Sequence, residues 1–594
     1  MNRFLKILTA WIVALGMLAG CSDLLEETPR TLLTPESFKT ANGLQNGLVA
    51  AYALLRPYYG FQGGAFFSVF SDEFMQAQQV SDPPEATYVG FTPAIGGGPW
   101  NEAYPAINTL NGIIQLGPEA TGLTENEKTQ LIGEAKYLRA LWYFLLARHY
   151  GGATIDLGSG PLAFNESPTT DVTRSSEAEV MDVVINDLEE AVQELPEMRP
   201  SEPGRAWKAS ALHLLAKAYL FRGYRDYSPN SNGDFQAALD NAQDLINNRG
   251  SYGVDLATTY AAVFEEGNEW GSEVLFTVEW NGNQQFNNAT DAGNFTNNIN
   301  NFLYREFYVQ DIPGMIRDVE NGRPWIRFSP TAWMLDVAFE DKVNDERYDG
   351  SFQTVWYAND ENADSYPTWS QAEADAGYVD QSMVGEQKFS FGDTAYWHAP
   401  RHIQDQFATE AEARDWAISK GYQVTFPDYG TTGFFQDLGV NDQNKHYPSL
   451  SKFNRVERPI PGTEEDPNIG STRPFIVHRF GETFLVAAEA AIQLGQTGAG
   501  DLGDDLDFVL DERSRELAGV HLRWFDLNRT GKLLERVHVD GSGAPPTYNR
   551  QYNGGAPAAG QLAPQPEPYH LLRPIPQGAI DAVTGDYPQN PGYN

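Results

Sequence analysis

One thiol, nine imidazoles and eighty carboxylates are the groups with which this 594-residue chain could do chemistry. The thiol is Cys21. It follows Leu18-Ala19-Gly20, and ahead of these stand Arg3, Lys6 and an apolar run from Ile7 to Leu18. That run is too short to span a bilayer as a stable helix. A basic start, an apolar run and small residues before a cysteine have the form of a lipobox. A leader of residues 1–20 would be cut there, and Cys21 would take acyl chains. A lone cysteine has no internal disulfide partner, so lipidation is the chemistry its position points to. Each buried CH2 contributes roughly 0.8 kcal/mol, so two or more chains hold a soluble body on a membrane.

The other groups match few reactive patterns. The histidines show no HExxH spacing and no cysteine partner, so no zinc site is recognisable. Ser159, between Gly158 and Gly160, lacks the nucleophile-elbow pattern. Gly96-Gly97-Gly98-Pro99 is followed by no Lys-Ser/Thr pair, so it is not a phosphate loop. Asp501, Asp504, Asp505 and Asp507 raise a structural calcium ion. They lack the 12-residue calcium-loop pattern, and charge at a helix N-terminus explains them as well. No cofactor is expected. A glycosidase needs two carboxylates about 5 to 10 Å apart in space, which spacing along a chain does not give. Asp72-Glu73 is a pair one could nominate, with a structural or hydrogen-bonding role as the simpler reading.

Binding chemistry has more to work with. Sugars are held by flat aromatic faces flanked by Asn, Asp, Gln or Arg. Two regions have that make-up. The first holds Asp72, Tyr88, Phe91, Trp100 and Asn101. The second holds Trp325, Trp356, Trp369 and Trp397, within a stretch carrying seven of the 13 tryptophans. Trp100 opens a Trp-x3-Tyr-x2-Ile pattern that suits a packed helix. Trp356 and Trp369 lie in polar, Gly/Asp-rich sequence, where exposure and burial are both open. The formal net charge is −39, and losing Arg3 and Lys6 with the leader makes it two units more negative. No basic patch stands out, so nucleic acid is a poor partner. The same field argues against sulfated or uronate ligands, although a local site can invert the sign.

The elements that must position these residues are helical at both ends of the chain. Thr124-Glu125-Asn126-Glu127 and Ser176-Glu177-Ala178-Glu179 are capping boxes. The first opens a helix with Leu138, Leu141, Trp142 and Leu145 on one face, and the second a helix with Met181, Val184, Ile185 and Leu188. Leu212, Leu215, Ala216 and Tyr219 mark a third helix, and Phe235 to Ile246 a fourth. Phe484, Ala487, Ala488 and Ala491 mark another, followed by one over 501–518 in which Asp511 and Arg515 stand at i, i+4. Alanines at the contact positions let paired helices approach closely, as in degenerate tetratricopeptide pairs. Residues 281–301 hold nine asparagines in 21 positions and read as loop. The expected organisation is a leader (1–20), a helical region (21–267), an irregular aromatic-rich layer (268–470) carrying the ligand site, and a second helical region with a tail (471–594). The fold class is mainly α.

Several blocks together resemble the SusD/RagB lipoproteins of bacterial outer membranes. Gly133-Glu134-Ala135-Lys136-Tyr137-Leu138-Arg139-Ala140 runs on to His149-Tyr150-Gly151-Gly152. Asp187-Leu188-Glu189-Glu190-Ala191 is followed by Leu195-Pro196, and Gly204-Arg205-Ala206 opens the next helix. Further on come Arg479, Glu482, Leu485 and Ala488-Glu489-Ala490, then Glu512 to Leu517, Arg523-Trp524-Phe525-Asp526-Leu527-Asn528-Arg529, and the ending Gln589 to Tyr593. The acidic Ser22-Asp23-Leu24-Leu25-Glu26-Glu27 resembles the surface-export signal of such lipoproteins. One departure is Gly519-Val520-His521-Leu522, where the family has Phe-Glu-Gly-His. The resemblance implies a cell-surface lipoprotein on a scaffold of helix pairs, not an enzyme. It implies a SusC-like TonB-dependent transporter as partner and a glycan as ligand. A peptide ligand, as in the RagB branch, is the alternative, and a lipid-anchored glycoside hydrolase a more distant one. The family's ligand residues follow no motif, so none transfers by position.

Overall fold

A computed structural model describes residues 35–60, 64, 67–77, 83–95, 97–158, 170–280, 312–321, 326–427, 430–432, 447–454, 472–496, 506–537 and 566–593. The main helices are α1 (Ala41–Ala53), α2 (Trp100–Leu116), α3 (Glu125–Tyr150), α4 (Glu177–Glu194), α5 (Lys208–Gly223) and α6 (Ser231–Asn247). After the middle layer, where α7 spans Glu410–Ser419, come α8 (Phe480–Gln493), α9 (Leu506–Leu517) and α10 (Arg523–Arg529). α2 packs on α3, α3 on α4, α4 on α5, α5 on α6 and α6 on α8. The result is a stack of helix pairs, mainly α, as the sequence leads one to expect.

Both capping boxes form. Glu127 N donates to Thr124 Oγ1 at 3.3 Å and Thr124 N to Glu127 Oε2 at 2.7 Å. Ser176 and Glu179 do the same for α4. Each box satisfies two backbone donors that the first turn would otherwise strand. Alanine does the expected work where α5, α6 and α8 meet. Ala216, Ala238, Ala242, Ala490 and Ala491 share a core cluster with Leu220, Phe235, Leu239 and Val486. Gly223 ends α5 against a ring of the same cluster. A Cβ there would lie 2.6 Å from Phe235 Cε1, so any larger residue would have to displace that buried ring.

α3 departs from the single apolar stripe read along it. From Gly133 to Tyr150 every residue is buried. A helix can be enclosed while carrying charge only if each charge finds a partner. Arg139 donates to both Asp187 oxygens at 2.8 Å and to Asn111 Oδ1 at 2.8 Å. Glu134 accepts from Arg205 Nε at 2.5 Å and Tyr52 at 2.6 Å, and Lys136 reaches Glu190 at 2.7 Å and also Glu194.

The strands are short, two to five residues each. β2 (Val274–Val278) pairs antiparallel with β10 (Phe475–Arg479), Val278 standing opposite Phe475. β1 (Phe74–Gln76) pairs with β3 (Phe328–Pro330), and β4 (Phe352–Gln353) with β9 (Ser449–Leu450). A four-stranded sheet runs β5 (Val355–Tyr357), β6 (Thr394–His398), β7 (Gln423–Phe426), β8 (Gly430–Thr432). Only its β6/β7 pair is parallel. These pairings order a layer whose sequence lacks helical period.

Leu138 sits at the centre of α3 with no exposed surface. Leu138→Ala is expected to cost about 2–5 kcal/mol, measured as a lower urea midpoint with unchanged m-value.

Candidate ligand-binding surface

The residues singled out between 72 and 101 meet the C-terminal helices rather than solvent. Asp72 has no exposed surface, and Arg523 clamps it with Nε–Oδ1 at 2.8 Å and Nη2–Oδ2 at 2.7 Å. Arg536 stands 3.5 Å from the same carboxylate and binds Asp511 and Asp507 with its other hydrogens. The Glu73 carboxyl is pushed up to about 8, because burial and the charge of Asp72 outweigh the help of Arg523. Tyr88 is buried in a left-handed conformation at φ 61°. Phe91 is buried edge-on to Phe67, and the Arg573 guanidinium lies 5.0 Å from its ring centre. Trp100 is buried edge-on to Tyr150 with ring centres 5.0 Å apart. Asn101 is exposed. Of these five candidates, four are packed inside and one faces water.

The second set lies on the four-stranded sheet and its connections. Side chains alternate along β5. Trp356 points inward, into a cluster with Ile312, Tyr366, Phe389 and Tyr396. Its neighbour Tyr357 points outward and is 59% exposed. Trp369 is buried, with the Lys388 ammonium 4.8 Å from its ring centre. Trp397 is half-buried beside Trp416. Trp325 and Cys21 lie outside the described residues, as do Asp501, Asp504 and Asp505. Asp507 carries Lys532 at 3.0 Å and Arg536 at 2.8 Å. The expected Asp511–Arg515 pair is not made. Asp511 turns to Arg536 and Arg515 to Glu512, both at 2.7 Å.

The sheet presents a corner that the sequence reading missed. Phe391 is 60% exposed, and with Tyr357 it is one of the two most exposed aromatic side chains among the described residues. They stand at one end of the antiparallel β5–β6 pair. Ala358 N donates to Asp393 O at 2.9 Å and Gly392 N to Ala358 O at 2.8 Å, tying the Phe391 turn to the end of β5. Asp393 closes that turn by accepting from Ser390 N at 2.9 Å. Asn359 then fixes the adjoining strap, exchanging hydrogen bonds with both backbone groups of exposed Ile316. The two exposed rings thus stand on segments tied by backbone hydrogen bonds, and the strap that follows Tyr357 carries Asn359, bound to Asp318, and Asp360. The sequence signal for this corner was the Ser390-Phe391-Gly392-Asp393 turn, which leaves a ring at its tip.

A groove of about 730 Å³ adjoins the helical scaffold. It runs between the short helices Tyr260–Val263 and Arg347–Ser351 and the starts of α8 and the end of α9. Its floor is an ion-pair lattice. Arg347 holds Asp345 and Glu512 at 2.7 Å, and Arg479 holds Glu273 at 2.7 Å and Glu516 at 2.8 Å. Burial works against the charge of Asp345 and Glu512, yet the hydrogen bonds from Arg347 hold both below the usual carboxylate range. A general acid needs the opposite shift. Among the described residues no helix is long and apolar enough to cross a membrane.

This architecture has relatives. A family model described as "Starch-binding associating with outer membrane" matches residues 25–220, and one described as "SusD family" matches residues 500–593. The chain is 28% identical over 632 aligned positions to SusD-like protein P2 of Formosa agariphila, covering 99% of this chain and all of that one. Among solved structures, a laminarin-binding SusD-like protein superposes with a TM-score of 0.61 at 20% identity, covering 93% of this chain and 100% of that one. Surface glycan-binding protein A from Bacteroides thetaiotaomicron, in complex with laminarihexaose, gives 0.58 at 18%, covering 93% and 99%.

The buried acids make stability depend on pH. Glu73 keeps its proton in the folded state up to about pH 8, whereas an exposed glutamate loses it near 4.5. Stability therefore falls as pH rises from about 4.5 to 8. Glu73→Gln is expected to flatten that fall, read from urea unfolding at pH 5 and pH 8. Arg523→Met strands the Asp72 charge and is expected to cost about 3–5 kcal/mol by the same measurement.

Proposed function

We propose that the chain, which belongs to the SusD/RagB family, is a cell-surface lipoprotein that captures neutral glycans and passes them to a SusC-like TonB-dependent transporter in the outer membrane. The observation that carries the reading is the exposed pair Tyr357 and Phe391 on rigid backbone. Sugar C–H faces stack on such rings, and Asn359, Asp318 and Asp360 beside them can meet hydroxyls. The laminarin-binding and laminarihexaose-bound relatives of the fold support a glycan rather than another ligand. The net charge of −39 favours a neutral sugar over a uronate or sulfated one. Cys21 supplies the anchor, and the transporter supplies passage across the membrane, for which the lipoprotein needs no chemistry of its own.

The test is a binding screen of the chain from residue 22 against neutral, uronic and sulfated glycans and a peptide digest, by affinity electrophoresis and calorimetry. Saturable binding of a neutral β-glucan without release of reducing ends is the expected result. Release of sugar products would overturn the non-enzymatic reading, and binding of peptides alone would overturn the glycan one. Tyr357→Ala combined with Phe391→Ala is expected to weaken glycan binding about tenfold or more while leaving the unfolding midpoint unchanged.

A further inference from the structure

Beneath the scaffold, where α3 and α5 meet β10 and the turn before α10, lies a cavity of about 10 Å³, room for a single water-sized particle. Its lining includes Arg148, Lys217, His478 and His521, none more than a tenth exposed. Arg148 is sandwiched by aromatic rings, its guanidinium carbon 4.4 Å from the centre of Phe144 and 4.1 Å from that of Phe525. The rings cover its faces and leave its N–H edge. Nε on that edge has no hydrogen-bond partner, and neither ring nitrogen of His478 nor Nε2 of His521 has one. His521 reaches the cavity from a left-handed backbone at φ 63°, at the point where the sequence departs from its family pattern.

The charges near the cavity do not cancel. Lys217 binds Glu482 at 2.7 Å, Arg513 binds Glu482 at 3.2 Å and Asp526 at 2.8 Å, and Arg529 binds Asp526 at 2.9 Å and Glu489 at 2.7 Å. In this chain three cations match three carboxylates. Arg148 is left over, with no carboxylate within ion-pair distance among the described residues. A buried guanidinium stays charged and is costly without a counter-charge. His478 and His213 add none, because burial, first of all, holds both below the usual imidazole range.

We propose that this cavity is a binding site for one monatomic anion of the chloride class, held by the N–H edge of Arg148 with Lys217 and the imidazoles of His478 and His521 around it. The same neighbourhood puts donor atoms of His213, His478 and Glu482 within 4.8 Å of one another, a spacing that could suit a metal ion. Three facts favour the anion. Glu482 is already taken by Lys217 and Arg513, both His213 nitrogens are occupied by Glu482 and Thr483, and a dication would face the surplus charge of Arg148.

Two measurements on the intact protein test this. Crystals grown in sodium bromide should show one bromine anomalous peak in the cavity, within hydrogen-bond reach of Arg148. Thermal unfolding at fixed ionic strength should shift upward as chloride replaces methanesulfonate, approaching a tenfold gain in the folded-to-unfolded ratio per tenfold chloride above saturation. Arg148→Met, which keeps bulk and removes charge, should lose the chloride response. A cavity peak without any chloride dependence marks an adventitious ion only and overturns the proposal. So does water density with no bromine signal, or stabilisation by zinc with none by chloride. The bromide crystals need no variant, so the proposal is tested even if Arg148→Met does not fold.

Discussion

The contact between Arg523 and Asp72 joins parts of the chain 451 positions apart, and it is where the N-terminal segment, the middle layer and the C-terminal helices hold one another. Two parallel N–H···O bonds hold a carboxylate that has no access to water. Such a pair is stable only when its geometry is good and the remaining lone pairs are used. Arg536 comes in from the helix after α10 to share Asp72, and the face of Trp333 from the middle layer lies 5.2 Å from Arg523 and 5.5 Å from Arg536. The N-terminal segment, the layer and the C-terminal helices thus converge on one guanidinium–carboxylate cluster. Removing one partner leaves a buried charge of the other sign, so the cluster enforces the mutual placement of three regions.

Much of the helical part was legible in the sequence, because capping boxes and apolar spacing are local signals. Thr124 with Glu127 and Ser176 with Glu179 start helices where they stand in the chain. The enclosure of α3 was not legible. Glu134, Lys136 and Arg139 look like a solvated face until Arg205, Glu194 and Asp187 arrive from other helices. The partner of Asp72 was hidden for the same reason: Arg523 stands 451 positions away, so the structural role that the sequence allowed for this carboxylate came without the arginine that fills it. On the sheet the difficulty is one of phase. Val355-Trp356-Tyr357 says that one aromatic faces in and the other out, but a three-residue strand cannot say which. The structure gives Trp356 to the core and Tyr357 to solvent.

Charge is handled differently inside and outside. Asp345 and Glu512 in the groove and Asp72 in the core each meet an arginine at 2.7 Å, and the chain as a whole carries a formal charge of −39. A net charge of that size keeps molecules apart and leaves uncharged ligands unopposed. The aromatic corner suits that setting. Its rings ride on backbone held by a strand pair and a closed turn, so little freedom would be lost were a ligand to settle on them.

The β2–β10 ladder has a consequence for how such proteins diversify. Val278 and Phe475 stand opposite each other, so the chain leaves the scaffold and returns to it at adjacent points, with nearly two hundred residues between. The entropic cost of closing a loop grows only slowly with its length. Lengthening, trimming or replacing the excursion therefore leaves its roots where they were. Recombination between homologous genes at these two strands would graft one protein's intervening layer onto another's frame, provided that the incoming segment brings its own equivalent of Trp333 to lie against the arginines.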